Sequence, residues 1–427
     1  MLPGSSGGGS LPRVERNSVK VVHVNHWDAS GGATRSTVRL HQGLLGLGQN
    51  SSMLVLKKTL DDPTIHELQG LGARFISWQG WRIDRLPTTV YRHRDRLAPW
   101  SVNWFPYTNQ WRRLDADIVH LHWIGLNYLP MASWPQLPHP VVWTLKDSWA
   151  FTGGCHIPYE CRRYEDACGK CPILHSEREH DLSRRTWQAK ARAFPRMKPV
   201  IITPSRWLAD SARSSSLLRD ARIEVIPNSI DTDRFKPASR EAARIALGLP
   251  LDKTLIAFGA FNLEEAPNKG YALLNEALSK QLDHAELVLY GTNAAPANIS
   301  RKAYPLGTIR DESTLATLFN AVDLVALPSR SENLPNTIIE AFACGTPVVA
   351  FRIGGIPDLI DHQVNGYMAD PFDTDDLARG IAWMLEDPER HARLCAAARD
   401  KVEREYEVSQ IARRHLELYE DIRAAGA

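Results

Sequence analysis

Ala321-Val322-Asp323-Leu324-Val325-Ala326-Leu327-Pro328-Ser329-Arg330-Ser331-Glu332-Asn333-Leu334-Pro335-Asn336-Thr337-Ile338-Ile339-Glu340 is the stretch on which the reading of this chain turns. Its first half is an apolar run of strand length that stops at a Pro-Ser turn. Residues 337–344 then carry the spacing of a short helix, ended by Gly345 and Pro347. The loop between them therefore lies at a strand's carboxyl end, where open α/β sheets collect ligands and where a helix start offers free N–H groups to a phosphate. Glu332 in the loop is placed to accept bonds from sugar hydroxyls. Glu340, on the helix, is placed to accept both hydroxyls of a ribose. Two acids on an ordinary solvated helix are the plain alternative.

Outward from this stretch, β-rich apolar runs alternate with helical patterns. One set comprises 19–24, 118–122, 141–145 and 200–203; a second comprises 254–258, 286–290, 323–327 and 348–351. The alternation predicts an α/β protein with two Rossmann-like lobes facing each other across a cleft. The expected division is a flexible tail at 1–17, a first lobe at 18–227, a second at 228–405, and a last helix at 406–427.

The 427 residues suit two or three domains. A net charge of +2 gives no reason to expect nucleic acid. No apolar run reaches the roughly 18 residues of a membrane span, and the amino terminus lacks an apolar signal core, so the expectation is a cytoplasmic protein. Gly31-Gly32 precede an amphipathic helix and permit close approach of a ligand to the backbone, or mark a simple strand-to-helix turn. Neither a complete G-x-G-x-x-G nor a Walker lysine is present, which argues against hydride transfer and nucleoside triphosphate hydrolysis. Asn268-Lys269-Gly270 put a cation at another helix start.

The run from Ser329 through Asp358, including Glu340-Ala341-Phe342-Ala343-Cys344-Gly345-Thr346-Pro347 and Gly354-Gly355-Ile356-Pro357-Asp358, resembles family 4 of the retaining GT-B glycosyltransferases, in particular bacterial envelope or capsule polysaccharide enzymes. The resemblance implies a GT-B fold whose last helix crosses back onto the first lobe. It implies that Glu332 contacts the donor sugar, that the backbone of Asn333, Leu334, Pro335, Asn336 and Thr337 contacts sugar and distal phosphate, and that Glu340 binds the ribose. Gly31 and Gly32 would face the donor phosphate. Lys269 would hold the diphosphate, stabilising charge that grows as the glycosidic bond breaks.

Retention in this class is implied to proceed by front-side displacement without a protein nucleophile, and without a catalytic metal. Asp-x-Asp occurs at 115–117, 231–233 and 373–375, but such triplets arise readily by chance.

Three positions depart from the family pattern. The linker Pro227-Asn228-Ser229-Ile230-Asp231 has serine where glycine is usual, which strains the backbone if φ is positive there. Ala260-Phe261 stand where an arginine is usual, and Arg330 is a candidate to replace that charge. In Trp143-Thr144-Leu145-Lys146-Asp147-Ser148-Trp149, Lys146 stands where the family has histidine. At its ordinary pKa a lysine donates hydrogen bonds but is no base. It binds a charged donor or acceptor group, serves as a donor only, or marks an impaired enzyme. Asp147 is a candidate to orient either group.

His120 and His122 alternate to one face of their strand, placing them at the acceptor side or, equally, within the sheet core. Cys155, Cys161, Cys168 and Cys171 crowd a loop at 153–172. Thiols so clustered point to structural zinc, with free or disulfide-bonded cysteines as the alternatives. Residues 78–113 combine many arginines with Trp78, Trp81, Trp100, Trp104 and Trp111. That composition fits peripheral contact with anionic lipid at the inner face of the plasma membrane, an acidic soluble acceptor, or an ordinary insertion.

The expected activity is transfer of a hexosyl group from a UDP- or GDP-linked sugar to a glycan or polyprenyl-diphosphate-linked acceptor. A nucleotide-sugar epimerase or hydrolase and a non-catalytic nucleotide-sugar-binding partner are the competing readings.

Overall fold

The computed structural model describes residues 18–426 apart from 30, 109, 139, 260–265, 282–284, 297–298 and 300. The expected tail at 1–17 and the Ala260-Phe261 departure lie outside the described residues. The first lobe holds β1 (Lys20–Val24), β2 (Asn50–Val55), β3 (Ile65–Glu67), β4 (Ile118–Leu121), β5 (Val141–Thr144), β6 (Val200–Thr203) and β7 (Ile223–Val225). They pair in the order β3-β2-β1-β4-β5-β6-β7. The second lobe holds β8 (Thr254–Gly259), β9 (Ala285–Tyr290), β10 (Ala303–Pro305), β11 (Leu324–Leu327), β12 (Val348–Phe351) and β13 (Gly366–Ala369). Their order is β10-β9-β8-β11-β12-β13.

Among the described residues, every strand pairing within the two sheets is parallel. Helices must therefore cover both sheet faces, which is why β4, β5, β11 and β12 are buried at every residue; β11 and β12 read as unbroken apolar runs, β4 and β5 as apolar runs carrying His120 and Thr144. The connecting helices are α1 (Gly31–Gly46), α2 (Leu71–Arg85), α3 (Leu182–Met197) and α4 (Arg206–Ser214) in the first lobe. In the second they are α5 (Arg240–Leu247), α6 (Tyr271–Gln281), α7 (Glu312–Ala321), α8 (Asn336–Ala343), α9 (Thr374–Leu385) and α10 (Pro388–Glu405).

Each sheet reverses its strand order once, between β1 and β4 and between β8 and β11. A crevice opens at such a switch point. The helices that follow β1 and β11, α1 and α8, start at these two crevices, so the fold itself aims two helix starts into the space between the lobes.

The chain crosses between lobes twice, and the crossings are stitched together. Ile230 donates its N–H to Tyr406 O at 2.9 Å and accepts one from Val408 at 2.9 Å. The last helix, α11 (Val408–Gly426), packs back on the first lobe, where Ile411, Ala412, Leu418 and Tyr419 join Val19, Val21, Leu40, Leu44 and Ile118 in one apolar cluster. Ser229 does not adopt a positive φ, so serine carries no backbone strain in this linker.

The 78–113 segment divides in two. Trp100 and Trp111 belong to the core, at 7% and 0% exposure, whereas Trp78 is 73% exposed and Trp81 46%. Asp84 fixes the division: its buried carboxylate accepts the N–H groups of Val102 and Asn103 and pins the following loop under α2. Among the described residues no helix is long and apolar enough to cross a membrane.

Candidate active site

A cleft of about 470 Å³ lies between the lobes. Its second-lobe wall is the loop 331–337, which ends β11 and starts α8. Lys269 and Glu332 meet here, with Nζ 2.8 Å from Oε1. Lys269 reaches this position from a short turn over Pro267–Lys269, closed by Gly270 at φ 71°; a Cβ on Gly270 would run into Pro328 O. Behind the loop, Gly354 and Gly355 pack directly on the carbonyls of Glu332 and Asn333, leaving no room for side chains. The glycine pair thus sets the depth at which the loop sits.

Glu340 is buried, 2% exposed, and its Oε1 lies 2.8 Å from Arg39 Nη2 and 3.5 Å from Arg35 Nη1 on α1. Arg39 also holds Glu312 at 2.6 Å. Although burial opposes its charge, the two carboxylates raise the Arg39 pKa above its ordinary value. The result is a charged clamp across the lobes. Three side-chain amides reinforce it: Asn336 Nδ2 donates to Gly32 O at 2.8 Å, Asn333 Oδ1 accepts from Ser205 Oγ at 2.7 Å, and Asn228 Nδ2 donates to Asn336 Oδ1 at 3.0 Å.

The first-lobe wall carries Lys146, whose Nζ donates to Ser36 Oγ at 2.8 Å. Burial pulls the Lys146 ammonium down to about 7, so a sizeable neutral fraction exists near physiological pH. This corrects the expectation of an ordinary lysine pKa. Asp147 pairs with His156 Nδ1 at 2.8 Å and accepts the Trp149 N–H at 2.8 Å. Burial pushes the Asp147 carboxyl up, but His156 and these hydrogen bonds outweigh it and hold the pKa below the usual carboxylate value.

Neither α1 nor α8 has an acidic residue in its first turn, and α8 has no side-chain N-cap bond. Gly32, Ala33, Asn336 and Thr337 from these first turns line the cleft. Two unneutralised helix N-termini and two lysines therefore border one space, an arrangement that favours an anionic group.

Of the sequence candidates, Gly32, Lys146, Asp147, Lys269, Glu332, Asn333, Leu334, Pro335, Asn336, Thr337 and Glu340 line the cleft. Gly31 starts α1 just outside it. Arg330 is also outside: its guanidinium lies over the Phe372 ring, 5.4 Å from the centroid, so it does not supply the missing phosphate charge here.

His120 and His122 are not at an acceptor surface. His120 is fully buried between Tyr419 OH at 2.6 Å and Thr144 Oγ1 at 2.7 Å, and His122 Nε2 meets His23 Nδ1 at 2.9 Å. With His23 they form a trio whose potential ligand atoms lie within 4.8 Å of one another. Burial holds all three rings well below the usual 6.5. They are neutral core residues of β1, of β4 and of the position just after β4.

The four loop cysteines are free thiols, as are Cys344 and Cys395. Cleft residues that sequence reasoning left without a role include Arg35, Ser36, His156 and Trp207. Arg35 and Ser36 follow Gly32 within one helical turn, and that spacing alone was the available signal.

Residues 30–234 match the family described as Glycosyltransferase Family 4, and residues 252–387 match Glycosyl transferases group 1. D-inositol 3-phosphate glycosyltransferase of Mycolicibacterium paratuberculosis is 38% identical over 182 residues, 39% of this chain and 40% of the relative. The Mycobacterium tuberculosis enzyme of the same name is 36% identical over 208 residues, 46% of this chain and 40% of the relative. The match thus spans about two fifths of the length of these curated relatives.

Among solved structures, sucrose-phosphate synthase from Thermosynechococcus elongatus superposes with a TM-score of 0.68 at 19% identity, covering 95% of this chain and all of that one. HepE of Anabaena in complex with UDP-glucose superposes at 0.65 and 17% identity, covering 94% of this chain and 100% of that chain. The two-lobed GT-B fold is common to all three.

Proposed function

We propose that this protein is a retaining glycosyltransferase that moves a hexosyl group from a nucleotide diphosphate sugar to a glycan or lipid-linked acceptor in polysaccharide assembly. The observation that carries this reading is the Lys269–Glu332 pair set in a cleft bordered by two bare helix starts. The diphosphate lies against the N-termini of α1 and α8 and exchanges with Glu332 for the Lys269 ammonium. Glu332 is then free to accept hydrogen bonds from sugar hydroxyls, and Glu340 presents its second oxygen to the ribose.

As the bond from the anomeric carbon to the phosphate oxygen breaks, negative charge grows on the leaving diphosphate. Lys269 and the helix dipoles meet that charge where it develops, which lowers the barrier more than it tightens ground-state binding. The acceptor hydroxyl approaches on the face the phosphate leaves and gives its proton to that phosphate. Neither Glu332, occupied with the sugar hydroxyls, nor Asp147, tied to His156, is needed as a nucleophile. Lys146 contacts a charged group of the donor or acceptor from the opposite wall.

A membrane-associated acceptor is favoured by one surface. Leu71, Trp78 and Val90 are 84%, 73% and 76% exposed, and Arg74, Arg82, Arg85 and Arg92 are exposed around them. Aromatic and aliphatic side chains among arginines suit the headgroup zone of an anionic bilayer. That supports a polyprenyl-diphosphate-linked glycan over a soluble acceptor, with the enzyme at the cytoplasmic face.

The test is product analysis by proton NMR with UDP- and GDP-linked hexoses, with and without a polyprenyl-diphosphate glycan. An acceptor-dependent product keeping the donor's anomeric configuration supports the proposal. An inverted product, or an epimerised sugar released without acceptor, overturns it.

A further inference from the structure

The loop that supplies His156, Ile157 and Pro158 to the cleft wall has a second feature that the transfer reaction does not use. Cys155, Cys161, Cys168 and Cys171 come from four points along this loop, yet all four line one small cavity of about 20 Å³. That is room for a single ion or water. None is paired in a disulfide. From this convergence we infer that the cavity is a structural zinc site with four thiolate ligands, and that the metal fixes the loop which forms the first-lobe wall of the cleft.

One backbone donor already points at a loop sulfur, and the turn geometry brings two of the thiols together. Gly153 donates its N–H to Cys168 Sγ at 3.1 Å. Such an N–H group accepts the charge of metal-bound sulfur and orients it, the role outer-shell donors play at metal centres. The C-x2-C end turns through Cys168 at φ 53°, Gly169 at φ 99° and Lys170 at φ 43°, an unfavourable run for non-glycine residues that brings both thiols to the same side. Gly169 has Glu179 O where a Cβ would stand, and Gly154 has the Trp100 ring, so the loop is closely packed on both sides.

Charge is balanced as well. Zinc with four thiolates carries a net charge of −2, and the buried Lys190 ammonium lies close by, bonded to Trp149 O and, at 3.0 Å, to Thr152 O. Arg163 also lines the cavity. Soft thiolates select zinc over hard cations, and Zn–S bonds of about 2.3 Å close a tetrahedron. No three of the sulfurs stand within 4.8 Å of one another without metal, so binding draws the side chains inward and releases the thiol protons as the bonds form.

The ordered loop gives the site its consequence. His156 N donates to Pro99 O at 3.1 Å, and its ring bridges Asp147 and Ser101. Metal loss therefore loosens the partner that holds Asp147 at the cleft; this last step alone rests on the proposed donor site.

The full chain, purified under reducing conditions, is assayed by elemental analysis, mercurial release and cobalt exchange. One zinc per chain is expected, released as the thiols are titrated, with cobalt giving the intense sulfur charge-transfer bands of a tetrahedral thiolate site. Cys168→Ser with Cys171→Ser loses the metal. His23→Gln with His122→Gln keeps it. Metal-free protein with four freely titratable thiols and an unchanged melting temperature overturns the proposal, as does zinc that follows the histidine variant. The cobalt spectrum is read on the wild-type chain, so a poorly folding variant leaves the test intact, and a donor site that fails in other assays leaves it unaffected.

Discussion

Lys146 makes donor binding a proton-linked event. In the ligand-free protein its ammonium titrates at about 7, so roughly a tenth of it is charged at pH 8. A phosphate or carboxylate brought against Nζ restores the charged form, and binding at pH 8 then takes up close to one proton, about 0.9. Titration calorimetry in two buffers of different ionisation enthalpy reads this number directly, because the diphosphate of a nucleotide sugar does not itself titrate near pH 8. Lys146→Met removes the uptake.

The same residue sets a stability slope. The unfolded chain keeps this proton up to about pH 10.5, whereas the folded chain releases it near 7, so stability rises with pH through that window and the burial penalty is complete below pH 7. Lys146→Met is accordingly more stable than the parent by roughly 3 kcal/mol at pH 6, the full gap of about 5 kcal/mol being discounted for the exposed part of the side chain. The advantage disappears near pH 10.5. Binding heats that do not depend on buffer would refute the assignment of a charged group to Lys146.

Other consequences follow from the same cleft. Lys269→Met, which removes one preorganised cation, lowers kcat/KM for transfer about 100-fold while weakening nucleotide diphosphate binding by roughly 1.5–3 kcal/mol; the two are separated by steady-state kinetics and calorimetry. Glu340→Ala leaves Arg39 buried with Glu312 alone and destabilises the protein by about 3 kcal/mol in urea unfolding. Arg35→Ala, a partly exposed partner at 3.5 Å, changes stability by less than about 1 kcal/mol. Trp78→Ala with Arg82→Ala reduces sedimentation with phosphatidylglycerol vesicles at least several-fold, and high salt does the same to the parent chain; equal binding of both proteins counts against the membrane surface.

Much of this arrangement was legible because parallel strands buried on both faces announce themselves as apolar runs. β4, β5, β6, β11 and β12 could be read that way. β2 could not: Asn50-Ser51-Ser52 is polar, and Ser51 is buried through its bond to His41. β3, β7 and β10 are three-residue edge strands with no pattern to find. The 331–340 loop was readable as a ligand site because strand, loop and helix are contiguous in sequence. The Arg35–Arg39–Glu340 clamp was not, since it joins residues about 300 positions apart.

His120 and His122 show the limit most plainly. Their alternation placed both on one face of β4, but only the docking of α11, through Tyr419, decides that this face is core. Likewise the lowered pKa of Lys146 comes from tertiary burial that its local sequence does not encode.

The most direct measurement is saturation-transfer NMR of the purified protein with a panel of UDP-, GDP- and other nucleotide-linked sugars, paired with an assay for nucleotide release. One donor that is bound, slowly hydrolysed alone and released faster with acceptor, with both effects lost in Lys269→Met, is the predicted result. Binding without turnover of any donor in the presence of added glycans, or binding unaffected by Lys269→Met, would contradict it.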